Sequence, residues 1–188
     1  MKTLTIGLYK ISTGWLAVTY IALMIVFIGW VLPDQSAKAE ATANGAGSPD
    51  TSFFYAPEKL FEMADTYEEA GRQAYIHARW TFDLIFPLVY GGFLITTTGW
   101  LLGKATSPES KLRWLILVPM IGVVFDYLEN IAVSLVMNAY PTRLGWAAFL
   151  ASGFTLIKWV FVYGGFAVLV AAFVIWLVSL KRSSPANT

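Results

Sequence analysis

Four runs of apolar residues dominate the chain, and each is long enough to cross a lipid bilayer as a helix. They cover residues 14–32, 80–102, 114–137 and a stretch within 146–180. Crossing about 30 Å of hydrocarbon takes roughly 20 apolar residues in an α-helix. Tryptophan favours the headgroup level of a membrane, and it stands at or near the ends of these runs: Trp15, Trp30, Trp80, Trp100, Trp114, Trp146 and Trp176. The pattern predicts an all-α, four-span transmembrane helix bundle.

Basic residues orient the predicted bundle, because cytoplasmic loops of membrane proteins carry an excess of Lys and Arg. They occur in the amino-terminal segment, between the second and third spans, and in the tail: Lys2, Lys10, Lys104, Lys111, Arg113, Lys181 and Arg182. The connection between the first and second spans is rich in Asp and Glu instead. We therefore place both termini in the cytoplasm and residues 33–79 outside. The small size, the charge bias and the absence of Cys favour a bacterial cytoplasmic (inner) membrane.

The external connection divides into two parts. Residues 33–56 are rich in Ala, Gly, Ser, Pro and Asp without periodicity, which is typical of a flexible linker. Over 57–78, apolar side chains recur at helical spacing and most charged ones fall on the other faces, which predicts an external amphipathic helix. The predicted organisation is an N-terminal segment with the first helix, the linker, the external helix, three further transmembrane helices and a cytoplasmic tail: 1–32, 33–56, 57–78, 79–182 and 183–188.

One alternative concerns the first apolar run. The string Ala37-Lys38-Ala39 resembles a signal-peptide cleavage site, and the preceding lysines resemble the basic region of a signal peptide. The apolar run is longer than the usual core of such a peptide. This length favours a retained helix, and removal of the first helix stays the alternative.

Composition excludes several classes of chemistry. The chain has 188 residues, of which 57% are hydrophobic and 13% charged, against about 25% charged in soluble domains. It has no Cys and one His, which excludes disulfide, thiolate, iron–sulfur and bis-histidine haem chemistry. The net charge of +1 gives no basis for a nucleic-acid partner. We expect no metal and no other cofactor.

Charged side chains inside the predicted spans are the best pointer to function. A charge at the centre of a bilayer costs roughly 2.5–3.5 kcal/mol, so a chain that carries several is expected to use some of them. Helical spacing places each charge on the same face as other polar residues of its helix. The sequence therefore predicts one interior polar site. Its candidate ligand- or proton-binding residues are Asp83, Tyr90, Asp126, Glu129, Asn130 and Lys158, with Arg79 at the rim.

Depth separates these candidates. At about 1.5 Å per residue from the cytoplasmic ends, Asp126 and Glu129 lie deepest, while Asp83 and Lys158 approach the outer boundary. We therefore expect a site that opens to the outer side. A structural alternative stays open for each residue: Lys158 snorkels to the headgroups, Asp83 pairs with Arg79, and the two deep acids form a clasp between helices.

Three functions fit this site. In the first, Asp126 and Glu129 bind or act on a lipid-like molecule that enters from the outer leaflet. In the second, the chain is a structural or assembly subunit of a membrane complex. In the third, it transports protons or cations as an oligomer. No nucleophile motif is present, so an enzyme would rely on general acid–base chemistry, and enzymatic activity stays an open question. The expected partners are membrane lipid and either a second copy or another membrane protein.

Overall fold

The computed structural model describes residues 2–183, which form eight α-helices and no strand. The prediction of an all-α fold is confirmed. The helices are α1 (Lys2–Ile11), α2 (Gly14–Val26), α3 (Leu32–Thr42), α4 (Pro57–Thr66), α5 (Glu68–Arg79), α6 (Phe82–Ala105), α7 (Val118–Ala139) and α8 (Gly145–Ser183). A π-helical turn joins α2 to α3, and a 3₁₀ helix at Lys111–Leu117 precedes α7. The last part of the predicted tail, 184–188, lies outside the described residues.

Within residues 2–183, four helical segments are long and apolar enough to cross a membrane, as the sequence predicts. They are segment 1 (Gly14–Thr42), segment 2 (Glu68–Ala105), segment 3 (Lys111–Ala139) and segment 4 (Gly145–Arg182). Helices α7 and α8 form the most extensive pair, and α6 packs against both. Segment 1 lies against segment 2 and leaves most of its own surface unburied.

The two ends of the bundle differ in composition. At one end, which we call the basic end, Tyr9 of α1 donates a hydrogen bond to the carbonyl of Arg113 and lies under its guanidinium. At the other end, residues 43–79 fold over α7 and α8; we call these residues the cap and this end the capped end. A continuous core there joins cap side chains such as Leu60 and Tyr67 to Val133 and Ala148.

The first long helix does not stop where the sequence analysis ends it. It continues to Thr42, so residues 33–42 are helical and only the rest of the predicted linker is irregular. Pro33 lacks the N–H that an α-helix interior needs, and the π-helical turn Phe27–Val31 just before it accommodates the proline ring. Ala-rich sequence and an ion pair of 2.6 Å between Lys38 and Asp34 favour the added turns.

The predicted external helix over 57–78 is two helices. Between α4 and α5 the backbone turns at Glu68, whose φ of 56° lies in the left-handed region that non-glycine residues rarely adopt. Helix α5 then leads almost directly into α6. At Gly71 the cap touches α3 so closely that a Cβ would stand 2.5 Å from the carbonyl oxygen of Thr42. The absence of a side chain at Gly71 therefore brings segment 1 against the cap.

Candidate functional site

Arg79 lies at the centre of one half of the site. It closes α5, and its guanidinium forms ion pairs with Asp50 at 2.5 Å and with Asp83 at 2.6 Å. Asp50 also accepts hydrogen bonds from the hydroxyls of Ser48 at 2.8 Å and Tyr75 at 3.1 Å. Arg79 is thus buried between two carboxylates. The sequence analysis predicts it at the rim of the site. Of the two carboxylates, Asp83 comes from α6 and Asp50 comes from the cap.

Glu129 and Lys158 form the other half of the site. The Glu129 side chain is 0% exposed and makes an ion pair with Lys158, which joins α7 to α8. The hydroxyl of Thr155 donates to the same carboxylate at 2.6 Å, and the hydroxyl of Tyr55, from the cap, lies 3.1 Å from Thr155. The cap thus reaches the Glu129–Lys158 pair through the hydroxyls of Tyr55 and Thr155.

Asp126 differs from the other carboxylates. The hydroxyl of Tyr90 donates to its carboxylate at 2.8 Å. Among the described residues Asp126 makes no ion pair, although Lys158 lies near enough to act on it electrostatically. Its residue surface is 9% exposed. Among the described residues, Asp126 is thus the buried acid that contacts no basic side chain directly.

Asn130 completes the contacts between α6 and α7. Its amide nitrogen lies 3.5 Å from the carbonyl oxygen of Asp83, while its amide oxygen has no partner among the described residues. The hydroxyl of Tyr127 donates to the carbonyl of Leu84 at 2.8 Å. These contacts tie the first turn of α6 to the middle of α7.

The structure brings all six predicted interior residues and Arg79 into one layer, which we call the polar cluster. The cluster also contains residues that the sequence analysis does not select: Asp50, Tyr55, Tyr75 and Thr155. Three of these four lie in the cap. Tyr75 belongs to the helical apolar pattern predicted over 57–78, but no periodicity or motif indicates burial of Asp50 or Tyr55.

The depth order expected from counting residues is not observed. Because Glu129 pairs with Lys158, these two residues stand at the same level of the bundle. The count begins at Trp114, whereas segment 3 begins at Lys111 with a 3₁₀ helix, which rises about 2.0 Å per residue instead of 1.5 Å. Both differences move Glu129 towards the capped end. Tyr55 and Asp50 cover the cluster there, where the sequence analysis expects an opening.

Charge in the cluster is unbalanced. Four carboxylates face two basic side chains, Arg79 and Lys158. Buried charges are tolerated when they are paired and hydrogen-bonded. Burial raises the pKa of Asp50, but the charges of Arg79 and Lys158 and its two hydroxyl donors lower it more, so the pKa lies below the usual value. Asp50 is therefore ionised at neutral pH.

Tyrosines of the cap face this negative charge. Burial and, after it, the charge of Glu129 raise the pKa of Tyr55 well above the usual value for a phenol. Burial and the charge of Asp50 raise the pKa of Tyr67 to about 12. Tyr67 donates to the carbonyl of Gly47 at 2.5 Å. Both phenols therefore stay protonated; Tyr67 donates within the cap, and Tyr55 shares its hydrogen bond with Thr155 of α8.

Within residues 2–183, no group of three or more His, Cys, Asp or Glu side chains is placed to hold a metal ion. No known family model, no curated protein and no solved structure matches this chain. The function is therefore argued from the geometry of the polar cluster and of the surfaces around it.

Proposed function

We propose that this chain is a multi-pass protein of a bacterial inner membrane, with four transmembrane segments and an external cap. The basic end carries Lys10, Lys104, Lys111, Arg113, Lys181 and Arg182 and would face the cytoplasm under the positive-inside rule. The polar cluster lies about 35 Å away, since Lys158 precedes Lys181 by 23 residues of one helix. At that distance the cluster would lie at the outer edge of the hydrocarbon.

Within that protein, the polar cluster serves as a buried clasp that fixes the cap to the transmembrane bundle. One observation carries this: each basic side chain of the cluster is already ion-paired within the chain, and Arg79 joins a cap carboxylate, Asp50, to a bundle carboxylate, Asp83. Buried ion pairs add little net stability but oppose alternative arrangements, because each wrong arrangement leaves a charge unpaired. The chain would thus be a structural or assembly subunit.

The clasp fits better than a lipid site that opens outward at these residues. A ligand would have to displace Lys158 from Glu129 and the cap tyrosine Tyr55 before it could reach the carboxylate. Removing one partner from a buried ion pair costs about 3–5 kcal/mol. Such a ligand would bind only if its own contacts exceeded this cost.

The assembly role is supported by the surfaces of segments 1 and 4. In the most apolar part of segment 1, 6% of residues are buried, and in segment 4 the share is 17%. These faces are available to membrane lipid and to the helices of a partner or of a second copy. No charged side chain interrupts the exposed apolar face of α8 between Trp146 and Val178.

A second candidate function, proton transfer, is favoured by Asp126 alone. It is buried, it lacks a direct ion pair among the described residues, and it shares a hydrogen bond with Tyr90. A carboxyl in this setting can exchange a proton without breaking the clasp. Transport would need an oligomer, because four segments provide few polar groups along a path.

Two variants separate these functions. The clasp predicts that Arg79→Met frees the cap, so that limited proteolysis within 43–56 becomes faster and any stable partner is lost from protein purified in mild detergent. Asp126→Asn should keep both the protected cap and the partner. If wild-type protein in liposomes carries a proton flux that Asp126→Asn abolishes while the fold survives, transport replaces the clasp as the function.

The topology is tested with single cysteines, since the native chain has none. A cysteine in place of Asn44 should react with an impermeant maleimide on intact cells.

A further inference from the structure

A groove outside the polar cluster runs between segments 2 and 3 at the capped end. Its volume is about 240 Å³, and it is lined by Ile76, Trp80, Ile131, Ser134, Leu135 and Asn138. It is large enough for part of a chain molecule and too small for a whole drug-sized ligand.

The walls of the groove combine exposed apolar side chains with one unsatisfied hydroxyl. Trp80, Ile131 and Leu135 are 47%, 43% and 42% exposed. Ser134 is only 7% exposed, and its hydroxyl has no hydrogen-bond partner among the described residues. A buried hydroxyl without a partner costs free energy that a ligand with a suitable acceptor would recover. Asn138, one turn further along α7, adds an amide that can both donate and accept.

The level of the groove indicates which part of a ligand it meets. Ile131 and Asn138 lie two and nine residues beyond Glu129, so the groove covers about 3–14 Å beyond the polar cluster. In the membrane placement proposed above, this range begins near the hydrocarbon edge and extends across the headgroup layer, which is about 5–7 Å deep on each side. No charged side chain lines the groove. Its chemistry therefore suits an uncharged acceptor carried on an apolar chain.

We propose that this groove binds a glycerolipid of the outer leaflet. The ester carbonyls accept hydrogen bonds from Ser134 and Asn138, and one acyl chain lies along Leu135, Ile131 and Trp80. From there the chain continues towards the bilayer centre. The headgroup stays outside the groove, so the binding depends on the glycerol–ester region and little on headgroup charge.

Binding is tested on delipidated, detergent-purified full-length protein by native mass spectrometry with two probes. One is a dioleoyl phosphatidylglycerol, and the other is the matching diether lipid, which lacks ester carbonyls. The wild type should retain one diester lipid and bind the diether about tenfold more weakly, the effect of one or two lost hydrogen bonds. Ser134→Ala should bind the diester lipid more weakly and should distinguish the two lipids less than the wild type does, because one of the two donors is gone.

A matched pair of bulky substitutions locates the site. Leu135→Trp fills the groove and should abolish retention. Leu150→Trp stands on the exposed face of α8 at a similar level, where the leucine is 39% exposed, and should leave binding unchanged. Thermal unfolding checks that each variant is folded, and Ser134→Ala keeps the test valid if Leu135→Trp does not fold. Equal retention by all variants, or equal affinity of wild type for the two lipids, would overturn the proposal.

This inference rests on the membrane placement of the proposed function, and the two can fail separately. If alkaline carbonate washes the wild type from membranes, the membrane placement fails. If the protein stays in the membrane but its lipid binding ignores the groove variants, only the lipid site fails.

Discussion

The capped end and the basic end of this bundle are held together by different interactions. At the capped end, ion pairs and hydroxyls of the polar cluster join three segments and the cap beside a continuous apolar core. Towards the basic end, segment 1 and Ser12 just before it meet segment 2 at glycines: the Tyr20 ring lies on Gly92, Ser12 on Gly99, and Trp100 on Gly14. The capped end is held by ion pairs and hydrogen bonds, and the basic half is held by close packing of side chains against glycines.

Each kind of interaction fits the part of the proposed membrane in which it lies. Apolar side chains gain little from contacting one another instead of lipid, so helices in hydrocarbon associate through small residues that let their backbones approach. At the edge of the hydrocarbon, charges can remain if each has a partner. The comparison predicts that a lost charge destabilises the capped end most, while added volume is what damages the basic half.

The largest effect is expected from Glu129→Gln. The change keeps the size of the side chain and leaves Lys158 buried without its counter-charge, which should lower the free energy of unfolding by about 3–5 kcal/mol. Chemical unfolding in detergent, followed by circular dichroism, measures this change. The double variant Glu129→Gln/Lys158→Met should recover much of the loss, since replacing both partners of a buried pair is often nearly neutral.

Asp126→Asn is the control for that experiment, because it changes a buried carboxyl that makes no ion pair among the described residues. The amide oxygen can still accept the hydrogen bond of Tyr90, so the loss should stay below about 1 kcal/mol. Equal losses for Glu129→Gln and Asp126→Asn would show that ion pairing does not distinguish the two acids.

The next effect tests the basic half by adding volume. Gly92→Leu forces a side chain into the ring of Tyr20, and overpacking of this kind costs about 1–3 kcal/mol. The same unfolding assay should show the loss, and Tyr20→Ala should restore part of it in the double variant, because the two positions are in contact. Gly29→Leu, where no atom lies within 4 Å of a Cβ, should not show this coupling. Rescue of Gly29→Leu by Tyr20→Ala would contradict the assignment.

A smaller effect is expected when low pH protonates Asp50 and weakens the attachment of the cap. The pKa of Asp50 is lowered in the folded chain, so its contribution to stability is complete above the unfolded value of about 3.9. The contribution is lost as the pH falls through the lower folded value. Proteolysis within 43–56 should therefore accelerate below about pH 4 in the wild type.

The Asp50→Asn variant should already be cleaved faster at neutral pH and should show a weaker pH dependence. Asp34→Asn is the control, since the exposed pair of Asp34 with Lys38 contributes little. A cleavage rate in Asp50→Asn that equals the wild-type rate at neutral pH would show that this carboxylate does not hold the cap.

The two ends also differ in how far the sequence predicts them. The four long helices follow from apolar runs that local composition makes visible. The spacing of Asp126, Glu129 and Asn130 predicts one shared face of α7, and all three side chains are buried. The role of Asp50 was not predictable, because its burial depends on where a non-periodic loop folds. The continuation of α3 was missed for a different reason: a composition rule treats Ala, a strong helix former, in the same way as Gly and Ser.

The smallest prediction compares two helical glycines at the capped end. Gly153 of α8 has no atom within 4 Å of a Cβ position, so Gly153→Ala should stabilise the protein by about 0.5–1 kcal/mol through helix propensity alone. Gly71→Ala carries the same propensity gain, but its Cβ would stand 2.5 Å from a backbone oxygen of α3. The melting temperature should therefore rise for Gly153→Ala and fall for Gly71→Ala. A rise of the melting temperature in both variants would mean that α3 moves away from the cap at little cost. Close packing would then hold segment 1 in the basic half but not against the cap.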